Sequence, residues 1–345
     1  MTAPGVDFDH ATLDPDLAII DAHHHLFDRP GQRYLLDDYL ADIGAGHRIV
    51  ASVYVETQAF IRADGPELLR SLGEIEFANG VAAMSASGIY GDCRVCAAIV
   101  GYADLRLGDE VAELLDRALA IAPDRLRGMR QVTIEDPTGK SYRYMMQPPP
   151  SGILSSAGFR PAFRHLAARG LTFDAAVFDH QLPDIGDLAD AFPDTTIVLN
   201  HMGAAMALDL DAEGRAEVFS RWRAGLRDVS RRQNVICKIG GLGMPLWGFG
   251  FESRSDAVGY PELASAWRPY VETALEAFGP RRCMMESNFP PDRRSCGFTA
   301  LWNALKHIVR DCSASEKAAL FRNTAAGVYR IDVSRLSGVN PMLPS

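Results

Sequence analysis

The sequence predicts a single (β/α)₈ barrel, in which eight parallel strands alternate with helices. Eight short apolar runs rich in β-branched residues recur along the 345 residues, and helix-like segments or loops separate them. The competing fold, an open doubly wound sheet, is disfavoured because no G-x-G-x-x-G motif follows the first run. A barrel needs about 250 residues, so the chain is long enough. No break in composition divides it, and we expect one domain over residues 1–345 with a barrel core at about 18–331.

The eight predicted strands are, in order, Ala18–His25, Ile49–Glu56, Arg94–Gly101, Arg125–Val132, Leu171–His180, Thr195–His201, Asn234–Gly240 and Arg282–Asn288. Elaborated loops follow the second, fourth and seventh strands, over Thr57–Asp92, Glu135–Gly158 and Gly241–Trp267. Barrel enzymes build their active sites from loops at the carboxyl ends of the strands. We therefore expect these loops to line the site, and the aromatic run from Leu246 to Phe251 favours a substrate wall or lid.

The composition excludes several classes of protein. Hydrophobic residues make up 47% and charged residues 23%, which is ordinary for a soluble globular protein. The net charge of −9, with both signs interspersed, argues against binding to nucleic acid. No window approaches 18 uninterrupted apolar residues, so we expect no association with a membrane. The N-terminus lacks a signal or transit pattern, which predicts a cytoplasmic protein. The sequence is compatible with a homo-oligomer.

The first strand ends in a group of histidines. If Ile19–His25 is a regular strand, Asp21, His23 and His25 share one face and His24 lies on the other. Two imidazoles at positions i and i+2 can bind one divalent ion, and zinc, copper, iron and nickel all accept this ligand. The alternatives are a polar surface cluster or an expression tag. The position of the run inside an apolar strand argues against a tag.

Polar residues also mark the carboxyl ends of most later strands. They are Glu56 on the second strand, Arg127 and Arg130 on the fourth, Asp179, His180 and Gln181 on the fifth, His201 on the sixth, Lys238 on the seventh, and Glu286, Ser287 and Asn288 on the eighth. Any one of them has an ordinary structural explanation. Four histidines at three strand ends on one rim, however, favour an active site, because catalytic groups in barrels come from several strands.

These strand-end motifs resemble the amidohydrolase superfamily, and in particular its amidohydrolase-2 branch, which includes sugar lactonases and 2-pyrone-4,6-dicarboxylate lactonase. The resemblance extends over roughly Ile19–Ile331 and rests on the motifs DAHHHLFD, RLRGMRQ, PDTTIVLNHMG, NVICKIGGLG and ESNFPPD. It implies that His23 and His25 bind a divalent metal, most often zinc. A fifth-strand histidine, matched by His180, and the sixth-strand His201 complete the implied site. Some lactonases of this branch need no metal.

The chain departs from the family pattern on its eighth strand. The family places there an aspartate that binds metal and shuttles a proton, whereas this chain has Asn288. An asparagine amide does not accept a proton from water at ordinary pH. Glu286, on the same face one step deeper, and Asp292, just beyond the strand, are the candidates for that role. On the fifth strand the adjacent Asp179 and His180 face opposite ways, and we favour His180 as the inward residue.

The expected function is therefore hydrolysis of a lactone or a related small ester or amide. A bound divalent ion lowers the pKa of its water to about 7, and the resulting hydroxide would attack the carbonyl carbon. Arg127, Arg130 and Lys238, with Glu56 nearby, are expected to bind a small anionic substrate, since guanidinium pairs well with carboxylate. Salt bridges to Glu56 or Glu135 are the structural alternative.

Two other functions are compatible with the sequence. The same branch contains metal-dependent decarboxylases, which would act on a small aromatic or unsaturated acid. A catalytically weakened barrel that binds a small ligand is the third hypothesis, and Asn288 is its motivation.

Overall fold

The computed structural model describes residues 11–145 and 147–336, so the predicted domain limits at residues 1 and 345 lie outside the described residues. Eight parallel strands form one sheet in which each strand pairs with the next along the chain. The barrel strands are β1 (Ile19–His24), β4 (Ile49–Val55), β5 (Arg94–Tyr102), β6 (Leu126–Val132), β7 (Thr172–Ala176), β8 (Ile197–Leu199), β9 (Val235–Ile239) and β10 (Cys283–Met285). This topology confirms the predicted (β/α)₈ barrel.

Helices connect the barrel strands and form the outer layer. They are α1 (Leu36–Ile43), α2 (Leu72–Ala86), α3 (Val111–Ile121), α4 (Phe159–Ala167), α5 (Leu182–Ala191), α6 (Ala212–Val229), α7 (Tyr260–Phe278), α8 (Phe298–Ile308), α9 (Ala314–Ala318) and α10 (Thr324–Val328). A π-helical turn, Ala319–Asn323, joins α9 to α10, and a hairpin of β2 (Phe27–Arg29) and β3 (Gln32–Tyr34) follows β1. Among the described residues, no helix has both the length and the apolarity to cross a membrane.

The barrel closes where β1 meets the segment that follows β10. The backbone N–H of Asn288 donates to the carbonyl of His23 over 2.9 Å. The buried carboxylate of Asp21 reinforces this seam, because it accepts hydrogen bonds from the backbone and the hydroxyl of Ser287 at 2.8 and 2.6 Å. Tyr39 of α1 donates to the same carboxylate over 3.0 Å. Closure thus places the end of the first strand beside the end of the eighth.

The expected alternation along β1 is wrong for Asp21. The pairing of β1 with β4 shifts register between Asp21 and His24, which marks a β-bulge. Before the shift, Ile20 and Ala22 belong to the hydrophobic cluster inside the barrel, so Asp21 points outward to α1. The bulge then brings His23 inward, although it does not share a face with Asp21.

The C-terminal segment closes the amino end of the barrel. Apolar side chains of this segment join the inward residues of the strands in one cluster, and they are Ala325, Ala326, Tyr329, Ile331 and Leu336. Arg127, at the start of β6, donates to the carbonyl of Tyr329 over 3.0 Å. Tyr329 is fully buried, and its hydroxyl donates to both carboxylate oxygens of Asp174 on β7, inside the barrel, at 3.1 and 2.9 Å.

Replacing Tyr329 with Phe should destabilise the protein by about 1.5–3 kcal/mol, because a buried carboxylate loses a hydrogen-bond donor. Urea denaturation monitored by circular dichroism measures the change. Tyr90→Phe is the control, since Tyr90 is 39% exposed and should change the free energy of unfolding by no more than about 0.5 kcal/mol. Equal effects of the two substitutions would contradict a stabilising contact between Tyr329 and Asp174.

Candidate active site

A buried carboxylate joins two histidines at the carboxyl end of the barrel. Glu286 follows β10 and has no exposed surface. Its Oε1 lies 2.6 Å from Nδ1 of His201, and its Oε2 lies 2.9 Å from Nδ1 of His23. The ligand atoms of these three residues all lie within 4.8 Å of one another. The first, sixth and eighth barrel strands therefore meet at one carboxylate.

A second group of contacts surrounds the other nitrogen of His23. Its Nε2 lies 3.1 Å from Nε2 of His25, whose Nδ1 donates to the carbonyl of Val55 over 2.8 Å. Because Nδ1 of His25 carries the proton in this hydrogen bond, its Nε2 presents a lone pair to His23. Nη1 of Arg130 lies 3.4 Å from the same nitrogen of His23.

Arg130 is held in place by Glu56, the residue that follows β4. Nε of Arg130 donates to Oε1 of Glu56 over 2.7 Å, and Nη2 donates to its backbone carbonyl over 2.5 Å. The sequence left a choice between a substrate contact and a salt bridge, and the structure shows the salt bridge. Nη1 is the part of the guanidinium that remains directed at the histidines.

Glu74 on α2 supports the turn that presents Glu56. Its Oε1 accepts hydrogen bonds from the hydroxyl of Tyr54 at 2.8 Å and from the backbone and hydroxyl of Thr57 at 2.7 and 2.8 Å. Oε2 accepts a longer bond from the backbone of Gln58 at 3.3 Å. Burial, and secondarily the negative charge of Glu56, raise the pKa of Glu74 to about 7.

A polar network lies beneath His23. Nζ of Lys238, on β9, donates to Oδ2 of Asp174 over 2.8 Å and lies 3.5 Å from Nδ1 of His23. Both members of this ion pair are completely buried. Asn200 also donates to Asp174, over 3.0 Å. Lys238 is therefore occupied by an internal partner, and we infer that it supports His23 from below instead of binding substrate.

The electrostatic environment keeps the first-strand histidines neutral. Burial lowers the pKa of His23 well below its usual value, and the positive charge of Lys238 adds to this effect. Burial and the positive charge of Arg130 likewise lower the pKa of His25. A neutral imidazole is the form that binds a metal ion.

The donors present here fit a divalent cation. Zinc–nitrogen bonds are about 2.0–2.1 Å long, so two nitrogens 3.1 Å apart, as in His23 and His25, can bind one ion. Oε2 of Glu286 is buried and accepts no hydrogen bond of acceptable angle, although Nδ1 of His23 is near it. The formal charges of five buried groups around His23 sum to −1 at pH 7, and these groups are Arg130, Lys238, Glu56, Asp174 and Glu286. A cation would balance that charge.

Three glycines after β9 allow the close approach of site residues. A methyl group on Gly240 would overlap Glu286, and one on Gly241 would overlap the ring of His201. A methyl group on Gly243 would lie 2.8 Å from Cβ of Asp292. Gly241 also has a φ of +65°, which favours glycine. The glycine turn, residues 240–243, therefore forms a wall against which Glu286, His201 and Asp292 are packed.

Asn288 has a structural partner in Asp292. Nδ2 of Asn288 donates to Oδ1 of Asp292 over 2.7 Å, while the backbone of Gly243 donates to Oδ2 over 2.8 Å. Asn288 has a φ of +50°, in the left-handed region, and it is buried. Both oxygens of Asp292 are engaged, and this pair fixes the loop after β10 against the glycine turn.

The structure brings most of the predicted site residues together, and these are His23, His25, Glu56, Arg130, Lys238, His201 and Glu286. His180 does not join them. The strand ends at Ala176, and the side chain of Gln181 accepts from the backbone of Phe178 and starts a 3₁₀ turn. That turn leaves His180 exposed, so the expected fifth-strand ligand is corrected.

Asp179, the neighbour that the sequence places on the face opposite to His180, is buried and pairs with Arg221 of α6 at 2.6 Å. One further expectation needs correction. Arg127 was expected to bind substrate, yet it lies at the amino end of the barrel, where its guanidinium bonds backbone carbonyls such as those of Tyr329 and Leu126. A residue at a strand's start cannot reach the carboxyl rim, because the strand itself separates the two ends.

Sequence reasoning missed Asp174 and the glycine turn. Asp174 is an acidic residue in the middle of the apolar run LTFDAAVF, and a charge in such a place requires a buried partner. The motif KIGGLG carries three glycines directly after a strand, which is a signal for close backbone approach. Both signals were present, but neither indicates which residue would be the neighbour.

Comparison with known proteins adds an independent finding. The family model described as Amidohydrolase matches residues 20–331. The uncharacterised protein y4mH of Sinorhizobium fredii is 33% identical over 338 residues, which cover 92% of this chain and 99% of that protein. An L-fucono-1,5-lactonase of Burkholderia multivorans is 26% identical over 328 residues, covering 90% and 96% respectively.

The fold is shared with solved structures. A crystal structure of an amidohydrolase from Burkholderia multivorans with bound Zn superposes with a TM-score of 0.69 at 24% identity. The match covers 91% of this chain and 100% of that chain. At this identity the likeness establishes the fold of the barrel and no more.

Replacing Gly241 with Ala should displace the ring of His201 and destabilise the protein by about 2–4 kcal/mol, from overpacking plus backbone strain. Gly250→Ala is a matched control, because Gly250 has a φ of +75° and nothing within 4 Å of an added methyl group. It should cost about 1 kcal/mol from strain alone. Urea denaturation of both variants measures the difference, and equal losses would show that Gly241 does not contact His201 as described.

Glu74 should make stability depend on pH. Its native pKa of about 7 lies above the unfolded value of 4.5, so the native state holds the proton more tightly. The stabilising contribution of the protonated Glu74 to the free energy of unfolding is fully present below pH 4.5, and it is lost as the pH rises through 7. Wild type should therefore lose stability relative to Glu74→Gln, which mimics the protonated acid, by up to about 3 kcal/mol between pH 5 and 8.

Urea titrations at pH 5, 6, 7 and 8 test this expectation. Glu76→Gln serves as the control, because Glu76 is exposed and pairs with Arg62 at the surface. The difference in the free energy of unfolding between wild type and Glu76→Gln should stay constant from pH 5 to pH 8. A constant difference for Glu74→Gln as well would contradict the raised pKa.

Proposed function

This chain belongs to the amidohydrolase family, and from that premise we propose that it is a hydrolase that opens a small lactone. The observation that carries the proposal is the Glu286 carboxylate, which is fully buried and lies within 2.6 and 2.9 Å of histidines from two other strands. Such an arrangement orients one imidazole for proton transfer and others for metal binding. The 26% identity to an L-fucono-1,5-lactonase over 90% of the chain supports the choice of a lactone.

His201 is the proposed proton carrier. Its Nδ1 is engaged by Glu286 at 2.6 Å, and 12% of its side chain is exposed while that of Glu286 is not exposed at all. Nε2 is therefore the nitrogen available to a molecule in the barrel mouth. The φ of His201 is +52°, which is a strained value for a residue other than glycine. Strain of this kind persists only where the surrounding structure holds the residue in one conformation.

The reaction follows from these positions. Nε2 of His201 accepts a proton from water as the water oxygen bonds to the lactone carbonyl carbon. The carbonyl oxygen becomes an oxyanion, which Nη1 of Arg130 can stabilise because Nε and Nη2 are occupied by Glu56. When the ring C–O bond breaks, His201 returns the proton to the departing ring oxygen. Water and lactone thus give one open-chain hydroxy acid.

The proposed metal ligands are Nε2 of His23 and Nε2 of His25, because both imidazoles are neutral and these two nitrogens lie 3.1 Å apart. Glu286 lies at the other nitrogen of His23, Nδ1, and is proposed to orient that ring. When bound, a zinc ion polarises the carbonyl group and lowers the pKa of its water. The proposed role of Lys238 is to hold His23 in place from below, whereas Arg130, held by Glu56, is left to face the oxyanion through Nη1.

Replacing Glu286 with Gln should lower kcat at least about 100-fold, because the amide keeps the shape but no longer orients and stabilises the His201 imidazolium.

His23→Ala and His25→Ala should lose bound zinc, measured by plasma mass spectrometry after dialysis. His180→Ala is the control, because this histidine is exposed and outside the cluster. Retention of zinc in His23→Ala, or its loss in His180→Ala, would contradict the assignment.

The reaction class is tested by products. Purified protein is incubated with 1,5-aldonolactones, including L-fucono-1,5-lactone, and acid release is followed with a pH indicator against the uncatalysed rate. Carbon dioxide release from small aromatic acids is measured in parallel. Acid release abolished in Glu286→Gln would support the proposal, whereas carbon dioxide release would identify a decarboxylase instead.

A further inference from the structure

A chain of polar contacts connects the closed amino end of the barrel to His23. At its base, the hydroxyl of Tyr329 donates to both carboxylate oxygens of Asp174, at 3.1 and 2.9 Å. Asp174 also accepts from Nζ of Lys238 over 2.8 Å, and this nitrogen lies 3.5 Å from Nδ1 of His23. None of these four residues has exposed surface. The segment that closes the amino end therefore reaches a residue of the candidate site.

Tyr329 contacts both members of the buried ion pair. Its hydroxyl bonds the carboxylate of Asp174, and Nζ of Lys238 lies 5.2 Å from the centroid of its ring, a distance at which an aromatic ring attracts a cation. Asn200 and Thr172 also donate to Asp174, at 3.0 and 3.4 Å. Those two hydrogen bonds hold the carboxylate, whereas Tyr329 holds the ammonium as well.

Stability alone does not account for the ion pair of Asp174 and Lys238. Two charges lose their hydration when they are buried, and replacing such a pair with apolar side chains of similar volume is often neutral or stabilising. This pair lies in the barrel interior, in contact with His23. Its position indicates a role at that histidine.

Two opposite charges lie next to Nδ1 of His23. Oε2 of Glu286 is 2.9 Å away, and the ammonium of Lys238 is 3.5 Å away. When Nε2 of His23 binds a metal ion, the proton is on Nδ1, so Lys238 finds no lone pair there and acts through its charge and its contact with the ring. Displacing the ammonium would leave the ring of His23 without its support from below.

The surroundings of Tyr329 keep its hydroxyl protonated, as a donor must be. Burial raises the pKa of this phenol well above its usual value, and the negative charge of Asp174 adds to the effect. The charge of Glu286 contributes as well, which indicates that the phenol lies within range of the charges at the candidate site.

We propose that Tyr329 is a positioning residue for His23, because it fixes the ammonium of Lys238 beside Nδ1 of that histidine through Asp174 and through its own ring. This inference rests on the proposed role of His23 as a metal ligand and deepens it, since it extends the support of that ligand to the closing segment of the barrel. Partners that orient a metal-binding histidine change its affinity for the metal, so the effect is expected at Nε2.

Zinc affinity, measured by competition with a chromogenic chelator, tests this proposal without turnover. Tyr329→Phe keeps the ring and should weaken zinc binding about 3- to 10-fold, less than the loss of about 10- to 100-fold that is typical of a direct partner of a metal ligand. Tyr329→Leu also removes the ring and should weaken zinc binding about 10- to 100-fold. Leu336→Ala is the matched control, because it removes apolar packing from the same closing segment and should leave zinc affinity unchanged.

A double replacement separates an effect through Lys238 from a general loss of structure. Asp174→Asn combined with Lys238→Met removes both charges together, so no buried charge is left unpaired. In that background Tyr329→Phe should no longer weaken zinc binding, whereas independent effects on affinity would add. A loss as large as that seen with the ion pair in place would overturn the proposal.

NMR of ¹⁵N-labelled histidines gives a readout that needs no metal. The signal of Nδ1 of His23, assigned by comparison with His23→Ala, should move in Tyr329→Phe and stay in place in Leu336→Ala, with thermal melts verifying that each variant is folded. An unchanged signal in Tyr329→Phe, or equal changes in the two variants, would overturn the proposal. If wild type binds no zinc and opens no lactone while the signal of His23 responds to Tyr329, the proposed function fails and the positioning role stands.

Discussion

The seam between the first and eighth barrel strands is the constraint on which the candidate site depends. Asp21 accepts two hydrogen bonds from Ser287, and the backbones of His23 and Asn288 are joined directly. These contacts lie within two residues of Glu286. Because the seam closes the barrel at this point, the histidines of the first strand face the carboxylate of the eighth, although the two are more than 260 residues apart in sequence.

Burial of charge then determines the chemistry of the cluster. A buried ion is costly unless it is paired, and three buried carboxylates of the site lie beside basic side chains. Asp174 pairs with Lys238, Glu56 with Arg130, and Glu286 lies between two histidines. The two cations lie close to His23, which helps to keep its imidazole neutral. The same buried cations that pair with carboxylates therefore also favour the neutral form of His23.

The eighth strand combines a departure from the family pattern with a compensating arrangement. The resemblance of the motifs implies an aspartate at the position of Asn288, whose amide is bonded to Asp292 instead of to the histidines. Glu286, two residues earlier, contacts both histidines. The glycine turn makes room for this longer side chain, since a methyl group on Gly240 would overlap it. The carboxylate that lies between the histidines is therefore that of Glu286, and the glycine turn is the wall that leaves room for it.

Local patterns in the sequence were sufficient to predict the barrel, because apolar runs and their spacing depend on neighbouring residues. They also placed His23, His25, His201 and Glu286 at strand ends, where polar residues interrupt the apolar runs. What they did not determine were features that depend on distant partners. The bulge after Asp21 is stabilised by contacts with Ser287 and Tyr39.

The turn that exposes His180 and the contact between Arg294 and Tyr144 are likewise products of tertiary structure. The side-chain direction of His180 is set by a turn that interrupts strand alternation, so a rule with a period of two fails there. The approach of Arg294 to Tyr144 requires the barrel to be closed, because only closure fixes which loops face each other across its axis. The sequence by itself thus determined which residues reach the rim, and the tertiary structure decided which of them meet.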